Sequence, residues 1–374
     1  MDRLIRLGVL FGGRSGEHAV SLVSAQSVLE TLDHAKYQIT QIGITEDGDW
    51  LVGDDVLAAL VKKDFTDLSA AAMFPAPSRP EVYSLKRVDG VEVVEIFAEL
   101  DVIFPILHGT FGEDGTMQGL FELNDLAYVG AGVLGSSVGM DKALFKDVMI
   151  ANQIPVAPSI LIHSSELKDM EAVLCKVSEF GEFPVFIKPA NMGSSVGVHK
   201  CSDIEEAAEC ILDAARYDRR ILVEKGINAR EIELSVLGNQ SPKVSIPGEI
   251  RPTAEFYSYE AKYHDDSSEL IIPARLRAEQ IERLQDYALR AYQAIDCAGM
   301  ARADFLLDKE TGEIFLNEIN TIPGFTPISM YPKLWKASGL SYADLIDELI
   351  RLAIERKREK DQIIRKYDYK VKGD

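Results

Sequence analysis

The chain has 374 residues, 47% of them hydrophobic and 27% charged, and a formal net charge of −20 at pH 7. This balance is typical of a globular protein with more than one domain, and the acidic charge disfavours general binding to nucleic acid or anionic membranes. No apolar run reaches the roughly 20 residues that span a bilayer, and no signal-peptide pattern occurs, so we expect a cytoplasmic protein. The four cysteines lack CxxC spacing and lie in patterned segments, which favours buried reduced thiols over a metal or disulfide framework.

Strand and helix patterns alternate through residues 1–140. Residues 4–11 (LIRLGVLF) are predicted to form a buried strand, and residues 17–32 a helix after a glycine-rich turn. Strands near 38–45 and 101–107, with a helix between them, continue a parallel sheet, and a hairpin at 82–96 interrupts it. The pattern predicts an α/β domain that opens the chain.

Residues 141–226 repeat this alternation. Asp141 is placed to cap a helix that runs to Gln153, and the segment IPVAP then breaks it. Strands are predicted at 159–163, 184–188 and 220–225, and helices at 167–180 and from Asp203. A glycine- and serine-rich loop follows the second of these strands.

Residues 227–374 mix strands, helices and a long polar stretch. Strands are predicted near 231–237 and 243–250, a loop at 253–268, and an amphipathic helix at 278–296. Two further strands, 301–307 and 313–319, are joined by a hairpin connection at 308–312. The densely charged segment from Glu355 is predicted to be a solvated helix end or tail.

The hairpin carries a candidate metal site. Side chains alternate along strands, so Arg302 and Asp304 share one face of the first strand, and Glu318 and Asn320 share one face of the second. A register with Asp304 opposite Glu318 brings their Cβ atoms to about 5 Å. Two such carboxylates repel unless protonated or bridged, and with a neutral amide oxygen they suit Mg²⁺. The alternative is a surface hairpin closed by a salt bridge from Arg302.

Two further segments are candidate nucleotide contacts. In FIKPANMGSSVGV (186–198), Lys188 ends an apolar strand, and the following Gly193 to Gly197 can bring backbone N–H groups close to phosphate oxygens. No Walker A pattern occurs in the chain, and a plain turn is the alternative. In LVEKGINAREIE (222–233), Glu224 and Glu231 lie at strand ends, where a carboxylate can accept from ribose hydroxyls.

Two loops near the N-terminus are candidate substrate contacts. FGGRSGEHAVS lacks the G-x-G-x-x-G spacing, and the following strand ends without an acidic residue, which disfavours a dinucleotide site. Glu17 is instead placed near a helix start to receive a substrate cation. HGTFGEDGTMQG (108–119) brings His108 and Glu113 to the same sheet edge, although His108 alone could equally be structural.

Taken together, these segments resemble one family. GGRSGEHAVS, HGTFGEDG, MDKALFK, KPANMGSSVGV, VEKGINAREIE, YEAKY, ARADF and NEINTIPGFTPISMYP occur in the order seen in D-alanine:D-alanine ligases of the ATP-grasp superfamily, from residue 8 to about 350. The resemblance implies a Rossmann-like N-terminal domain (1–140), a central domain (141–226) and a C-terminal domain (227–374). ATP would lie between the antiparallel sheets of the last two, under a lid at about 253–268. The family also suggests a homodimer.

The resemblance implies ligands and residue roles. The ligands are ATP, two Mg²⁺ (or Mn²⁺) ions and two D-alanine molecules. The ATP contacts would be Lys142, Lys188, Ser194, Ser195, Glu224, Lys225, Glu231, Lys262, Asn317 and Glu318, and the metal ligands Asp304, Glu318 and Asn320. The catalytic positions would be Glu17, Ser194, Tyr263, Arg302, Gly324 and Ser329, and the D-alanine contacts Glu17, His108, Arg302, Ser329 and Met330. Ala19 stands where many members have a second glutamate.

The implied reaction has two steps. The first D-alanine carboxylate attacks the γ-phosphate of ATP to give an acyl phosphate, and the amine of the second D-alanine then attacks the activated carbonyl. Three alternatives stay open: another ATP-grasp carboxylate-amine ligase, a D-alanine:D-lactate ligase, and a nucleotide-binding regulator without catalysis. D-lactate-using relatives carry histidine in the loop where this chain has Tyr263, which favours the dipeptide product.

Overall fold

The structure, a computed structural model, describes residues 3–251 and 269–364. Within these ranges the strands form three sheets of eight, four and six strands, each packed against helices. This is the mixed α/β architecture that the sequence predicts. The four cysteines, expected to be buried reduced thiols, are free, but only Cys201 and Cys297 are buried and Cys175 is exposed. No helix in the described ranges is long and apolar enough to cross a membrane.

The first sheet is built from the N-terminal third of the chain. Its strands are β1 (Ile5–Gly12), β2 (Tyr37–Ile44), β3 (Trp50–Val52), β4 (Ser69–Ala72), β5 (Glu81–Val88), β6 (Val91–Glu99), β7 (Val102–Ile106) and β8 (Ala127–Tyr128). Three helices join them: α1 (His18–Thr31), α2 (Val56–Lys62) and α3 (Thr116–Leu123). β1 lies between β2 and β7 and pairs with both in parallel, which buries its last six residues.

The β5–β6 hairpin differs from the prediction in its position. It extends the sheet at one edge, in the order β6-β5-β4-β3-β2-β1-β7-β8, and does not interrupt the parallel part. The strands β3 to β6 pair antiparallel, so this half of the sheet is a meander. The carboxyl ends of the parallel strands β1 and β7 stay adjacent, and the loops that follow them share one edge.

The second sheet is antiparallel, in the order β11-β10-β12-β9. Two helices, α4 (Val133–Met140) and α5 (Lys142–Ala151), lead into β9 (Ser159–His163), a 3₁₀ turn (Ser164–Asp169), α6 (Met170–Phe180), β10 (Val185–Pro189), β11 (His199–Cys201), α7 (Ile204–Ala214) and β12 (Arg220–Lys225). The Asp141 side chain caps α5, as predicted. The helix predicted from Asp203 is α7, and the Asp203 side chain caps it. Alternation along β10 and β12 turns Ile187 and Val223 into the helix-covered core, whereas Lys188 and Glu224 face the other side.

The third sheet has the order β16-β15-β13-β17-β18, with β14 paired to β13. Its strands are β13 (Ala229–Gly238), β14 (Lys243–Val244), β15 (Gly248–Arg251), β16 (Glu269–Ile271), β17 (Gly299–Asp308) and β18 (Ile314–Asn320), and its helices α8 (Ala278–Ala294), α9 (Met330–Ala337) and α10 (Tyr342–Asp361). The single strand predicted at 243–250 is two short ones, β14 and β15. Pro247 lies in the break, and proline has no N–H to donate to a ladder.

Helix α10 returns the chain to the first sheet. Leu345, Ile346 and Leu349 are buried in the same core as Leu7 and Val9 of β1. The charged segment from Glu355 was predicted to be a solvated helix end or tail. Its described part completes helix α10 and is exposed at Arg358 and at 361–364, as predicted, but Arg356 contacts the first sheet. The Arg356 guanidinium lies 4.2 Å from the Tyr128 ring centroid and donates to the Tyr128 carbonyl at 3.1 Å. The sequence could not indicate these partners, which lie more than 200 residues away in the chain.

Candidate active site

The β17–β18 hairpin has the predicted register. Asp304 lies opposite Glu318, and Arg302 lies opposite Asn320. The register then shifts, because Phe305 pairs with Leu316 and leaves Asn317 as the extra residue of a bulge. Bulges often lie beside active sites, where they change the direction of a side chain. The hairpin therefore presents two carboxylates, one amide and one guanidinium on one face of the third sheet.

Arg302 is held between two carboxylates. Its Nε and one terminal nitrogen donate to the two Asp304 oxygens, both at 2.7 Å, and Nε lies 3.0 Å from Glu233 Oε2 on β13. Burial would lower the pKa of Arg302, but the attraction of Asp304 and Glu233 outweighs it and raises this pKa well above its usual value. The guanidinium is thus a fixed cation, able to stabilise developing negative charge.

The hairpin oxygens fit a hard divalent ion that keeps part of its water shell. Asn320 Nδ2 donates to Asp304 Oδ2 at 2.9 Å, which brings the amide and the carboxylate together. In the ranges that the structure describes, no group of three or more His, Cys, Asp or Glu side chains is arranged to hold a metal. Two carboxylates and one amide are nevertheless a normal protein contribution for Mg²⁺, which takes its other ligands from water and phosphate.

A buried cluster of opposite charges lies on the open face of the second sheet. Glu224, only 2% exposed, lies 2.6 Å from both Lys146 Nζ and Lys188 Nζ. Burial opposes ionisation of Glu224, but the two ammonium groups together lower its pKa. Burial lowers the pKa of Lys146 despite the attraction of Glu224. Lys146 was not predicted from the sequence, although it follows Lys142 by one helical turn on α5.

Lys142 connects the glycine-rich loop to the β17–β18 hairpin. Its Nζ donates to the Met192 carbonyl at 2.7 Å and lies 3.7 Å from Glu318 Oε2. In the loop, Ser194 and Ser195 have φ values of 47° and 59°. Consecutive left-handed residues are uncommon outside glycine and form tight turns whose N–H groups can converge on an anion.

Glu17 meets the same loop from the first sheet. The Ser194 hydroxyl donates to Glu17 Oε1, and the Glu17 side chain is only 8% exposed. Gly109 and Gly193 pack closely around it, since a Cβ at these positions would lie 2.4 Å and 2.8 Å from Glu17 Oε2. Ala19 is exposed on α1, so a glutamate there would not lie in this buried contact.

His108 and Glu113 contact the backbone of the segment after β18. His108 Nδ1 lies 3.0 Å from the Ile322 carbonyl oxygen, and Glu113 Oε1 accepts from the Ile322 N–H at 3.0 Å. The second His108 nitrogen, Nε2, lies 3.2 Å from Ser24 Oγ. Both ring nitrogens are therefore engaged within the protein.

The segment 323–330 ends at the start of helix α9. Ser329 Oγ accepts from the Thr326 N–H at 3.2 Å and lies 2.8 Å from Thr326 Oγ1. A Cβ on Gly324 would lie 3.2 Å from Ser329 Oγ, so this turn is compact. The Met330 side chain is buried in an apolar cluster, which leaves its backbone at the helix start as the part able to bind an anion.

Comparisons with known proteins identify the family. Family models described as "D-ala D-ala ligase N-terminus" and "D-ala D-ala ligase C-terminus" match residues 6–131 and 148–351. D-alanine–D-alanine ligase of Thermoanaerobacter sp. (strain X514) is 48% identical over 356 residues, covering 95% of this chain and 98% of the relative. The chain belongs to the D-alanine:D-alanine ligase family. The relative from Caldicellulosiruptor bescii is also 48% identical, over 361 residues, covering 96% and 98%.

Solved structures of this ligase family share the fold. The D-alanine-D-alanine ligase from Coxiella burnetii has 36% identity and a TM-score of 0.81, covering 96% of this chain and 97% of that one. VanG D-Ala:D-Ser ligase from Enterococcus faecalis has 34% identity and a TM-score of 0.83, covering 94% and 100%. The predicted α/β ATP-grasp fold is therefore confirmed, and the chain belongs to a family of ATP-dependent ligases.

Two other residues predicted to contact ATP lie on strands of the second and third sheets. Lys225 is exposed at the end of β12, where its N–H donates to the Pro158 carbonyl at 3.0 Å. Glu231 is the third residue of β13, on the face that carries Glu233 beside the β17–β18 hairpin. Lys262 and Tyr263 lie outside the described residues.

Proposed function

We propose that this chain joins two D-alanine molecules, with ATP converted to ADP and phosphate through a D-alanyl phosphate, and so supplies peptidoglycan precursors. Family membership supports the reaction class. The observation that carries the proposal is one chain of contacts across all three sheets. Ser194 of the second sheet donates to Glu17 of the first, and Lys142 joins the Ser194 loop to Glu318 of the third.

The phosphate-activation step would use the second and third sheets. Lys142 and Lys188 would neutralise the ATP phosphates, and Asp304, Glu318 and Asn320 would hold two Mg²⁺ (or Mn²⁺) ions. When bound, these ions supply charge neutralisation of the transferring phosphoryl group. Lys188 pairs with Glu224 in this structure, so on binding ATP it would leave this carboxylate for a phosphate. Lys146 stays with Glu224 and keeps that carboxylate compensated.

The two D-alanine molecules would lie between the first and third sheets. Glu17 is a buried carboxylate suited to the ammonium of the first molecule. Arg302 and the Gly324 N–H would stabilise the tetrahedral oxyanion, a contribution of about 3–4 kcal/mol per donor in other enzymes. Ser329 and the Met330 N–H would receive the carboxylate of the second molecule. Lys262 and Tyr263 would act from the lid at 253–268.

The acceptor substrate is the point to test, because a similar structure is that of a D-Ala:D-Ser ligase. The purified protein is supplied with ATP, Mg²⁺ and D-alanine, alone and with equal D-serine, D-lactate or L-alanine, from pH 6 to 9. Phosphate release and mass spectrometry of the products measure the outcome. We expect D-alanyl-D-alanine as the main product in every mixture. A main product containing D-serine or D-lactate contradicts the proposed acceptor, and ATP binding without turnover contradicts the whole proposal.

We also propose a cytoplasmic homodimer. The family suggests this assembly, and ATP, D-alanine and Mg²⁺ are all available in the cytoplasm. Light scattering coupled to size-exclusion chromatography measures the mass in solution. A single chain of 41.4 kDa at micromolar concentration would contradict the dimer.

A further inference from the structure

The Ile322 peptide is held at both of its polar groups by side chains from one distant loop. Its N–H donates to Glu113 Oε1 at 3.0 Å, and its carbonyl lies 3.0 Å from His108 Nδ1. Residues 108 and 113 follow β7 of the first sheet, and Ile322 follows β18 of the third. These two bonds therefore join the substrate-facing ends of two sheets.

The hydrogen-bond partners assign the protonation of His108. A carbonyl only accepts, so Nδ1 carries the hydrogen and donates to Ile322. Nε2 then accepts from the Ser24 hydroxyl on α1, which lies 3.2 Å away. Burial lowers the pKa of His108, in keeping with a neutral ring. A ring whose two nitrogens are both occupied in this way has no lone pair or hydrogen for a substrate.

Glu113 binds the N–H of the Ile322 peptide, as His108 binds its carbonyl. Its second oxygen, Oε2, accepts from the Gly109 N–H at 2.8 Å. Gly109 also forms the wall against Glu17, so one carboxylate joins the wall of the first-substrate site to Ile322. Burial and the charge of Glu17 raise the pKa of Glu113 to about 8, against the effect of the two N–H groups. Glu17 and Arg302 are the charged groups that act on both members of the pair.

We propose that His108 and Glu113 are positioning residues that clamp the Ile322 peptide and thereby set the distance between the Glu17 site and the Gly324 turn. This assignment rests on the proposed function and replaces the direct contact with D-alanine expected for His108. Gly324 lies two residues after Ile322, so a loosened clamp displaces the second-substrate side without touching the nucleotide side.

The first test compares Glu113→Gln with Asp114→Asn in the full chain. An amide can accept at only one position, so Glu113→Gln loses one of the two N–H bonds. The Asp114 side chain accepts from the nearby N–H groups of Phe111 and Thr116, within its own loop, which makes it a matched control. We expect Glu113→Gln to raise the KM of the second D-alanine by up to about tenfold, the effect of one lost hydrogen bond, with ATP affinity little changed. Amide hydrogen exchange across 320–325 should also accelerate.

The second test uses His108 and does not require Glu113→Gln to fold. An asparagine can place an N–H near the Nδ1 position, whereas leucine cannot. The clamp therefore predicts that His108→Asn retains most of the activity and slow exchange that His108→Leu loses. The clamp would be overturned if both variants lost activity equally and their pH–rate profiles lacked the step caused by histidine titration. That result would show that His108 transfers a proton to substrate.

Three other results are decisive. Glu113→Gln behaving like Asp114→Asn in both KM and exchange overturns the clamp, as does an equal loss of ATP and D-alanine affinity. If the unmodified protein makes no dipeptide, the proposed function fails, and the exchange of residues 320–325 still decides whether the clamp exists.

Discussion

Replacing Lys146 by methionine is expected to destabilise the second sheet and its helices. Lys146 is 3% exposed, lies 2.6 Å from Glu224 and also donates to the Ala157 carbonyl at 3.0 Å. Methionine keeps most of the length and the apolar stem but removes the charge and the donors. Glu224 is equally buried, so it cannot recover the lost interaction from water.

The magnitude follows from what remains around Glu224. Removing one partner of a buried ion pair typically costs about 3–5 kcal/mol, because the other charge is left uncompensated. Here Glu224 keeps Lys188 at 2.6 Å, which places the loss below that range, at about 2–3 kcal/mol. For domains of 150–250 residues each kcal/mol lowers Tm by about 2–4 °C. We therefore expect a decrease in Tm of about 4–12 °C.

The assay is thermal unfolding followed by circular dichroism, with Lys176→Met as the control. Lys176 lies on α6 of the same unit and also pairs with a glutamate, Glu166, but its side chain is 53% exposed. The control makes the same chemical change where water can replace the lost partner, so its Tm should stay near that of the unmodified protein. Equal Tm values for the two variants would refute the reasoning.

Three further predictions concern the metal site, the first substrate and pH. Glu318→Gln keeps the volume but removes a negative ligand, so activity should fall at every Mg²⁺ concentration while the circular dichroism spectrum stays unchanged. Near-normal activity across a magnesium titration would exclude the hairpin as the metal site. Glu17→Gln should weaken the first D-alanine by about 1.5–3 kcal/mol, the value of a charge-assisted hydrogen bond, with ATP affinity nearly unchanged. Equal losses for both ligands would contradict that role. Although burial opposes it, hydrogen bonds from Arg6 and Arg3 lower the pKa of Asp101 to about 2. Because the folded pKa is the lower one, this contribution to stability is present above about pH 4 and is lost as pH falls towards 2. The Tm difference between the unmodified protein and Asp101→Asn should therefore shrink as pH falls from about 4 towards 2. A Tm difference that stays constant over this range would contradict the assigned role of Asp101.

Local patterns predicted the parts of the site that lie close together in sequence. The opposition of Asp304 and Glu318 follows from strand alternation and a five-residue connection, and both features are visible in the sequence. Helix starts at Asp141 and Asp203 were predictable because a cap is a local signal. The bulge at Asn317 was not, since whether an extra residue fits depends on the neighbouring strands and helices.

Contacts between distant segments could not be predicted from patterns. Lys146 has the spacing of an ordinary helix residue, and only the fold shows that Glu224 lies beside it. The bond between Glu113 and Ile322 joins residues 209 positions apart. Residue types indicate that a carboxylate can accept from an N–H group. Which of the many N–H groups Glu113 bonds to depends on how the sheets pack.

The cationic groups of the site are already neutralised, and this bears on how ATP binds. Lys188 pairs with Glu224, Lys142 lies 3.7 Å from Glu318, and Arg302 is held by Asp304. In the proposed function, phosphates would take the lysines while metal ions take the carboxylates. ATP alone would take the lysines and leave the carboxylates without cations, and Mg²⁺ alone would take the carboxylates and leave the lysines without anions. Uncompensated charge in a poorly solvated site is costly.

We therefore expect ATP and Mg²⁺ to bind with strong positive coupling, and the coupling must be equal in both directions. Calorimetric titration of a non-hydrolysable ATP analogue with and without Mg²⁺ measures it. Free metal–nucleotide association in solution also contributes to such a titration, so Glu318→Gln provides the comparison. This variant lowers the negative charge opposite Lys142, and the analogue should bind it more tightly than the unmodified protein without Mg²⁺ but gain less when Mg²⁺ is added. An equal gain in both proteins would show that Glu318 takes no part in the exchange of partners.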